Sequence, residues 1–207
     1  MKIIAISAHN KEYKKLNEVS EKNKTEYFKD KGIIFVNYEL EQEMWNRPVA
    51  WTKIKLIRYN LMYCDYVIWL DCDTCIINKN FDLKGLLASD KDIYLSKDNN
   101  GINSGVMVFK NTNKVKSFLD TVWSMEQYVN HIWWEQAAIH DLYENNWEGI
   151  NEATEFVPQN ILNAYEYGQY NLENKEGEIC KDTFIAHFPA LPLEKRIELI
   201  NKYTNGS

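Results

Sequence analysis

The sequence predicts an α/β protein with a mostly parallel, mixed central sheet flanked by helices, and three observations point there. Short apolar runs alternate with helix-spaced segments through the first half of the chain. Val67, Ile68, Trp69 and Leu70 form an apolar run that reads as a buried central strand. Two aspartates, Asp71 and Asp73, follow it directly, at the carboxyl end of a strand where open α/β sheets bind ligands.

The elements follow in order. KIIAIS (2–7) reads as the first strand, and a charged, weakly amphipathic helical region runs from about 11 to 31. GIIFVNY (32–38) is the second strand. In WTKIKLIRYNLMY (51–63), Trp51, Ile54, Ile57 or Arg58, and Leu61 recur at helical spacing. Beyond the central strand, DIYLS (92–96) and GVMVFK (105–110) are strands, and VKSFLDTVWSM and WWEQAAIHDLY are helices. EFVPQN (155–160) and TFIAHF (183–188) are the last extended pieces. The polar segment YGQYNLENKEGE (167–178) is expected to be a mobile loop. There is no internal repeat, low-complexity tract or Pro/Gly-rich linker, so the 207 residues read as one domain. The closing NKYTNGS (201–207) reads as an arbitrary stop after a helix, the pattern of an N-terminal domain of a longer protein.

Composition removes several classes. Hydrophobic residues at 45% and aromatics at 14% suit a packed core, not a disordered chain. A net charge of −6 argues against sequence-independent nucleic-acid binding. MKIIAIS is too short for a signal peptide, and no apolar stretch reaches the roughly 20 residues that cross a bilayer. The expectation is a cytoplasmic protein without a membrane anchor. Cys64, Cys72, Cys75 and Cys180 are then expected to be reduced. Cys72 and Cys75 form a C-x-x-C that admits a redox reading, or a zinc site completed by Cys180 and His187; buried structural thiols are the simpler account.

In an extended segment, residues two apart point the same way, so Asp71 and Asp73 are expected to converge. Two carboxylates that close repel unless a cation sits between them, and a hard divalent ion is the natural one. A plain turn remains the alternative. His187 follows the apolar TFIA; an imidazole added to two carboxylates favours manganese over magnesium, with a diphosphate able to fill the remaining positions. In GINSGV (101–106), two glycines bracket Asn103 and Ser104 before a strand, which suits either close approach to a sugar or a turn. In HIWWEQAAIH (131–140), Glu135 and Gln136 open a helix beside two tryptophans, as core or as site. No H-E-x-x-H occurs, so metalloprotease chemistry has no support.

WTKIKLIRYNLMYCDYVIWLDCDTCIIN, NSGVMVFKN, WWEQAAI and FIAHF, in that order, resemble metal-dependent GT-A glycosyltransferases. The chain is similar to the galactosyl-, mannosyl- and xylosyltransferases of the fungal Golgi and of plant xyloglucan synthesis, and to glycosyltransferase domains of large algal viruses. The resemblance covers about residues 51 to 190. It lacks the membrane anchor and stem of the Golgi enzymes; a viral origin would place it in host cytoplasm.

The resemblance implies a single GT-A domain over 1–207, with a Rossmann-like half at about 1–110 for nucleotide-sugar and metal and an acceptor-side half at about 111–207. It implies transfer of a hexose-type sugar from a UDP-sugar to a glycan or glycoprotein acceptor, dependent on Mn2+ or Mg2+ and retaining in outcome. Asp71, Asp73 and His187 would hold the metal, with Asp71 shared with the ribose. Lys53 and Arg58 would face the donor, and Arg58 would assist the leaving diphosphate. Ala5, Ser7 and His9 would flank the base. Asn103 and Gly105 would meet the sugar, with Glu135 or Gln136 near the anomeric carbon. Should a general base be needed, Glu135 and Asp98 are the candidates. A monomer is expected. The rival readings are a sugar-phosphate nucleotidyltransferase, a glycosidase, a metal-dependent carbohydrate-binding module and a thiol oxidoreductase. No glycine-rich phosphate loop follows the first strand, which weakens the first. Glycosidase carboxylates face each other across a cleft about 5 to 10 Å wide rather than sharing one strand end, which weakens the second.

Overall fold

The computed structural model describes residues 1–41, 43–89, 91–166, 168–169 and 175–204. In chain order, its first half holds β1 (Ile3–Asn10), α1 (Lys14–Asp30), β2 (Ile34–Leu40), the small hairpin β3 (Glu43–Met44) and β4 (Arg47–Pro48), α2 (Thr52–Asn60), β5 (Tyr66–Leu70), β6 (Thr74–Ile76), α3 (Leu83–Leu86) and β7 (Ile93–Asp98). Then come β8 (Gly101–Lys110), α4 (Asn113–Ser124), α5 (Trp134–Glu144), α6 (Ile150–Ala153), β9 (Thr154–Phe156), α7 (Gln159–Leu162), β10 (Ile185–His187) and α8 (Leu193–Thr204).

The central sheet has the order β2-β1-β5-β8-β7-β9. β1 runs parallel to β2 and β5, and β7 runs parallel to β9. β8 opposes both β5 and β7, so five strands share one direction and one is reversed, the mostly parallel mixed sheet the sequence predicts. Period-two alternation sorts the core. From β5, Val67 and Trp69 face α2, α4 and α5, whereas Tyr66, Ile68 and Leu70 face the layer of Tyr27, Phe28 and Phe184. A third cluster packs Leu199 and Ile200 of α8 against Leu16, Cys75 and Phe188.

Three local differences from the sequence reading bear on the site. β8 begins at Gly101, so GINS is strand and not a turn. The turn is Asn99–Asn100, closed by the Asn100 amide donating to Asp98 Oδ1 at 2.7 Å. The extended piece expected at 155–160 stops at Phe156; Pro158, at φ −49°, then leads into α7. The segment 71–73 is a turn between β5 and β6, not continuous strand. Part of the loop expected at 167–178, and the tail 205–207, lie outside the described residues. Among those described, no helix is long and apolar enough to cross a membrane.

Candidate active site

α1 reads as weakly amphipathic because its buried face is partly polar. Asn17, Ser20, Asn23 and Lys24 lie inward beside Leu16, Tyr27 and Phe28. Those polar groups tie down the turn after β5. The Asn23 amide brackets Ile76, accepting from its N–H at 2.7 Å and donating to its carbonyl at 3.0 Å. The Lys24 ammonium donates to the Asp71 carbonyl at 2.8 Å, which also accepts from Thr74 Oγ1 at 2.8 Å. Burial pushes the Lys24 ammonium down to about 8.

β6 then pairs antiparallel with β10, setting His187 opposite Thr74. The Phe188 amide also donates to the Asp73 carbonyl at 3.1 Å. This ladder joins residues distant in sequence. Asp71, Asp73 and His187 each offer one ligand atom within 4.8 Å of the others, the one such group among the described residues. The aspartates converge as the sequence predicts, but through a turn.

Each of the three has one atom fixed by a neighbour, leaving another for the shared centre. Asp71 Oδ1 accepts from Trp69 Nε1 at 2.7 Å and Lys53 Nζ at 3.0 Å. Asp73 Oδ2 pairs with Arg196 Nη1 at 3.0 Å. His187 Nδ1 lies 2.8 Å from Asn163 Oδ1, to which it can donate only in the Nδ1–H tautomer. That leaves Asp71 Oδ2 and Asp73 Oδ1 at 4.0 and 3.3 Å from His187 Nε2. The Nε2 atom is buried without a hydrogen-bond partner. A buried nitrogen lone pair facing two carboxylates fits a divalent cation, and the fixed partners are of the kind that orient metal ligands. Asp73, although buried, is held well below the usual carboxylate range by the cations beside it, Arg196 and Lys24. Gly105 packs under this centre: a Cβ there would lie 2.1 Å from His187 Cε1, so no side chain fits.

Lys53 is buried and links the parts. Besides Asp71 it reaches Glu135 Oε1 at 2.9 Å and the Ser104 carbonyl at 3.2 Å. Burial opposes its charge, but Asp71 and Glu135 outweigh that and hold the ammonium above its usual range. Glu135, 2% exposed, is raised by burial despite Lys53. It accepts from Ser104 Oγ at 2.9 Å, while Gln136 Oε1 accepts from the Ser104 amide at 3.1 Å.

Two cavities meet at the carboxylates. The larger, about 480 Å³, is bounded by Asp98, Asn103, Tyr165, Gln136 and Trp133. At one end Asn103 Nδ2 donates to Asp98 Oδ2 at 2.9 Å and to Tyr165 Oη at 3.0 Å. The smaller, about 240 Å³, is walled by Ala8, His9, Asn10, Tyr13 and Val49. Lys53, Asp71, Asp73, Trp134 and Arg196 border both.

Most of the residues singled out in the sequence therefore come together: Asp71, Asp73, His187, Lys53, Asn103, Gly105, Glu135 and Gln136 at the larger cavity, His9 at the smaller. Three do not. Ala5 and Ser7 are buried inside β1, which pairs on both sides, and Ser7 Oγ accepts from Lys24 at 3.4 Å; the cavity wall begins at Ala8. Arg58 lies on another face of α2, pairing with Asp120 of α4 at 3.2 Å. Five residues separate it from Lys53, so the two cannot share a helix face. Arg58→Ala should lower stability by at most about 1 kcal/mol, read from thermal unfolding, and leave UDP affinity unchanged; a large loss of affinity would return Arg58 to the site.

The cation the sequence reading missed is Arg196, on α8. Its Nε donates to the Leu191 carbonyl at 2.7 Å and its guanidinium lies 5.5 Å from the Tyr13 ring centre. Nothing in its local pattern separates it from an ordinary surface arginine; only the fold brings it to Asp73. The C-x-x-C thiols are free and built for inertness. Burial raises Cys75 to about 12 and Cys72 beyond the thiol range, the reverse of a redox cysteine, and Cys180 is exposed beside Thr183.

Comparisons with known proteins agree with this geometry. The structure superposes over 98% of this chain and 100% of a glycosyltransferase involved in glycosylation of the major capsid of PBCV-1, at 18% identity and a TM-score of 0.74. It superposes on the galactosyltransferase LgtC, solved with donor and acceptor sugar analogues, over 97% of this chain and 96% of that one, at 14% identity and 0.64. It also matches the glycosyltransferase GlyE of Streptococcus pneumoniae over 61% of that chain, at 13% identity and 0.56. No curated protein sequence matches. The fold is that of GT-A glycosyltransferase structures. Within that class the chain is similar to the galactosyl transferase GMA12/MNN10 family, whose model matches residues 86–188.

Proposed function

We propose that this chain transfers a hexose-type sugar from a UDP-sugar to a glycan or glycoprotein acceptor, with a divalent cation, Mn2+ in preference to Mg2+, held by Asp71, Asp73 and His187. One observation carries the reading. Two carboxylate oxygens and an unpartnered imidazole nitrogen, each oriented from behind, converge where two open clefts meet. A bound cation would supply Lewis-acid charge beside a leaving diphosphate.

The protein's own groups do the rest. Lys53 holds Asp71 in place through a 3.0 Å ion pair. Asn163 fixes the His187 tautomer. Arg196, bordering both cavities, adds positive charge where the diphosphate would lie. The smaller cavity, with Tyr13, His9 and the apolar Val49, suits a base and ribose. Asn103, Asp98 and Tyr165 present donors and acceptors suited to sugar hydroxyls. The carboxylate lining favours positive charge developing at an anomeric carbon, with Glu135 and Gln136 the nearest candidates. Retention of configuration is supported by the families the four sequence blocks resemble. The candidate metal ligands come from both halves of the chain, which supports 1–207 acting as one unit: residues up to about 110 carry the aspartates, and those beyond bring His187, Asn163 and Arg196.

The test is calorimetric titration of UDP with Mn2+ and then with EDTA, on the wild-type chain and on Asp73→Ala. Metal-dependent UDP binding, weakened at least about 100-fold in the variant, is the expected result. Equal affinity in Asp73→Ala would remove the metal assignment. Binding of free glycan with metal, and none of UDP, would make the chain a carbohydrate-binding module instead.

A further inference from the structure

At the mouth of the larger cavity, three apolar side chains stand in water: Ile132 is 78% exposed, Trp133 41% and Trp134 44%. Nothing in the fold requires this. The hydrophobic layers are complete without them, and two indoles side by side in solvent are costly unless something covers them.

The segment is also held in a conformation that side chains of this size avoid. Trp134 has φ +43°, in the left-handed region, at the first residue of α5. The Trp133 amide donates to His131 Nδ1 at 3.1 Å, and the His131 and Trp133 rings meet edge to face at 5.8 Å. Behind it, Trp51 Nε1 donates to the Val129 carbonyl at 3.3 Å. The Arg47 guanidinium packs 4.7 Å from the Trp51 ring and 4.4 Å from that of Trp123 while pairing with Glu126. The loop from 126 to 134 is thus tied at both ends and presents its tryptophans already in place.

Resting on the proposed function above, we infer that Trp133, with Ile132, is the stacking platform for the acceptor, and that the acceptor presents there the C–H face of a neutral pyranose ring. The occupant follows from the surroundings. The platform borders a concave cavity, not an open flat face, so a small ring fits better than a folded protein. Apart from the two carboxylates that would hold the cation, the same cavity carries Asp98 and Glu135, while Lys53 and Arg196 are already paired with carboxylates, so an anionic acceptor is disfavoured. Trp134, next to the platform in sequence, borders both cavities together with Asp71 and Asp73. Indole faces bind the C–H faces of sugars by dispersion and desolvation.

The test follows the indole N–H resonances of 15N-labelled protein, with MgCl2 and UDP present, during titration with lactose, methyl α-mannopyranoside and sodium glucuronate. UDP affinity of the wild-type chain is measured first; its absence would overturn the proposed function. Given that binding, the Trp133 resonance is expected to shift with at least one neutral sugar and less with glucuronate. Trp133→Ala should bind the same sugar about tenfold more weakly, read from the remaining resonances, and Trp133→Phe should recover most of the loss. The platform is overturned if no neutral sugar moves the Trp133 resonance, if Trp133→Ala titrates like the wild type, or if glucuronate binds best. A Trp133 resonance that shifts on dilution without sugar would give the surface to a second copy of the chain and overturn it equally.

Discussion

His187→Ala is expected to lower affinity for Mn2+ by at least about 100-fold, read from the free-ion electron paramagnetic resonance signal or by calorimetry. The estimate follows from rank. Loss of a group that merely orients a ligand costs about 10- to 100-fold in metal affinity, and His187 is itself a candidate ligand, the one nitrogen of the set. Asn163→Ala supplies the internal scale. It leaves the imidazole in place but removes the acceptor 2.8 Å from Nδ1, so its loss should fall in that 10- to 100-fold range. If His187→Ala keeps wild-type Mn2+ affinity with an unchanged thermal transition, the three side chains are a structural ion-pair cluster and not a metal centre.

Lys53→Met is expected to cost about 3 to 5 kcal/mol of stability, because it leaves Glu135 buried without its counter-charge. Chemical denaturation at several pH values separates this from simple loss of packing, since methionine fills much of the same space. The direction follows from the two groups. Lys53 titrates above its usual range in the folded protein, so its contribution is complete below about pH 10.5 and is lost only as pH rises through that raised value. Glu135, raised by burial, is a burden when charged and is relieved as pH falls through its raised value. Removing the ammonium that opposes that rise moves the Glu135 titration higher still. The deficit of Lys53→Met should therefore be greatest at pH 7 to 8 and shrink towards pH 5. A deficit constant over that range would mean that Glu135 keeps the same protonation state in both proteins across it.

What the sequence revealed and what it hid have a common physical basis. The central strand and the aspartates after it were legible because a wholly apolar run ending in two charges has few alternatives. α1 was legible as a charged, weakly amphipathic helix, but not the purpose of its buried face: Asn17, Ser20, Asn23 and Lys24 lie inward, where Asn23 and Lys24 hydrogen-bond the 71–76 segment. The resemblance points to both Lys53 and Arg58 on the helix before the motif, with Arg58 favoured. Helical rotation sends it to Asp120, while Lys53, one and a half turns earlier, reaches the carboxylates. Arg196 was invisible, since its partner Asp73 is 123 residues away. Glycines 101 and 105 admitted either a turn or close approach to a sugar. Gly105 instead lies within β8, where the missing Cβ makes room for an imidazole.

The short ladder between β6 and β10 has a consequence for synthesis. The aspartates emerge from a ribosome well before the strand that carries His187. At roughly 5 to 20 residues per second, the gap is on the order of 10 s. During that interval the nascent chain has its nucleotide-side sheet and both carboxylates, but no imidazole to complete the set. Only when β10 closes against β6 does the third ligand arrive. A cation held as proposed would therefore gain its full set of protein ligands only late in the life of the nascent chain.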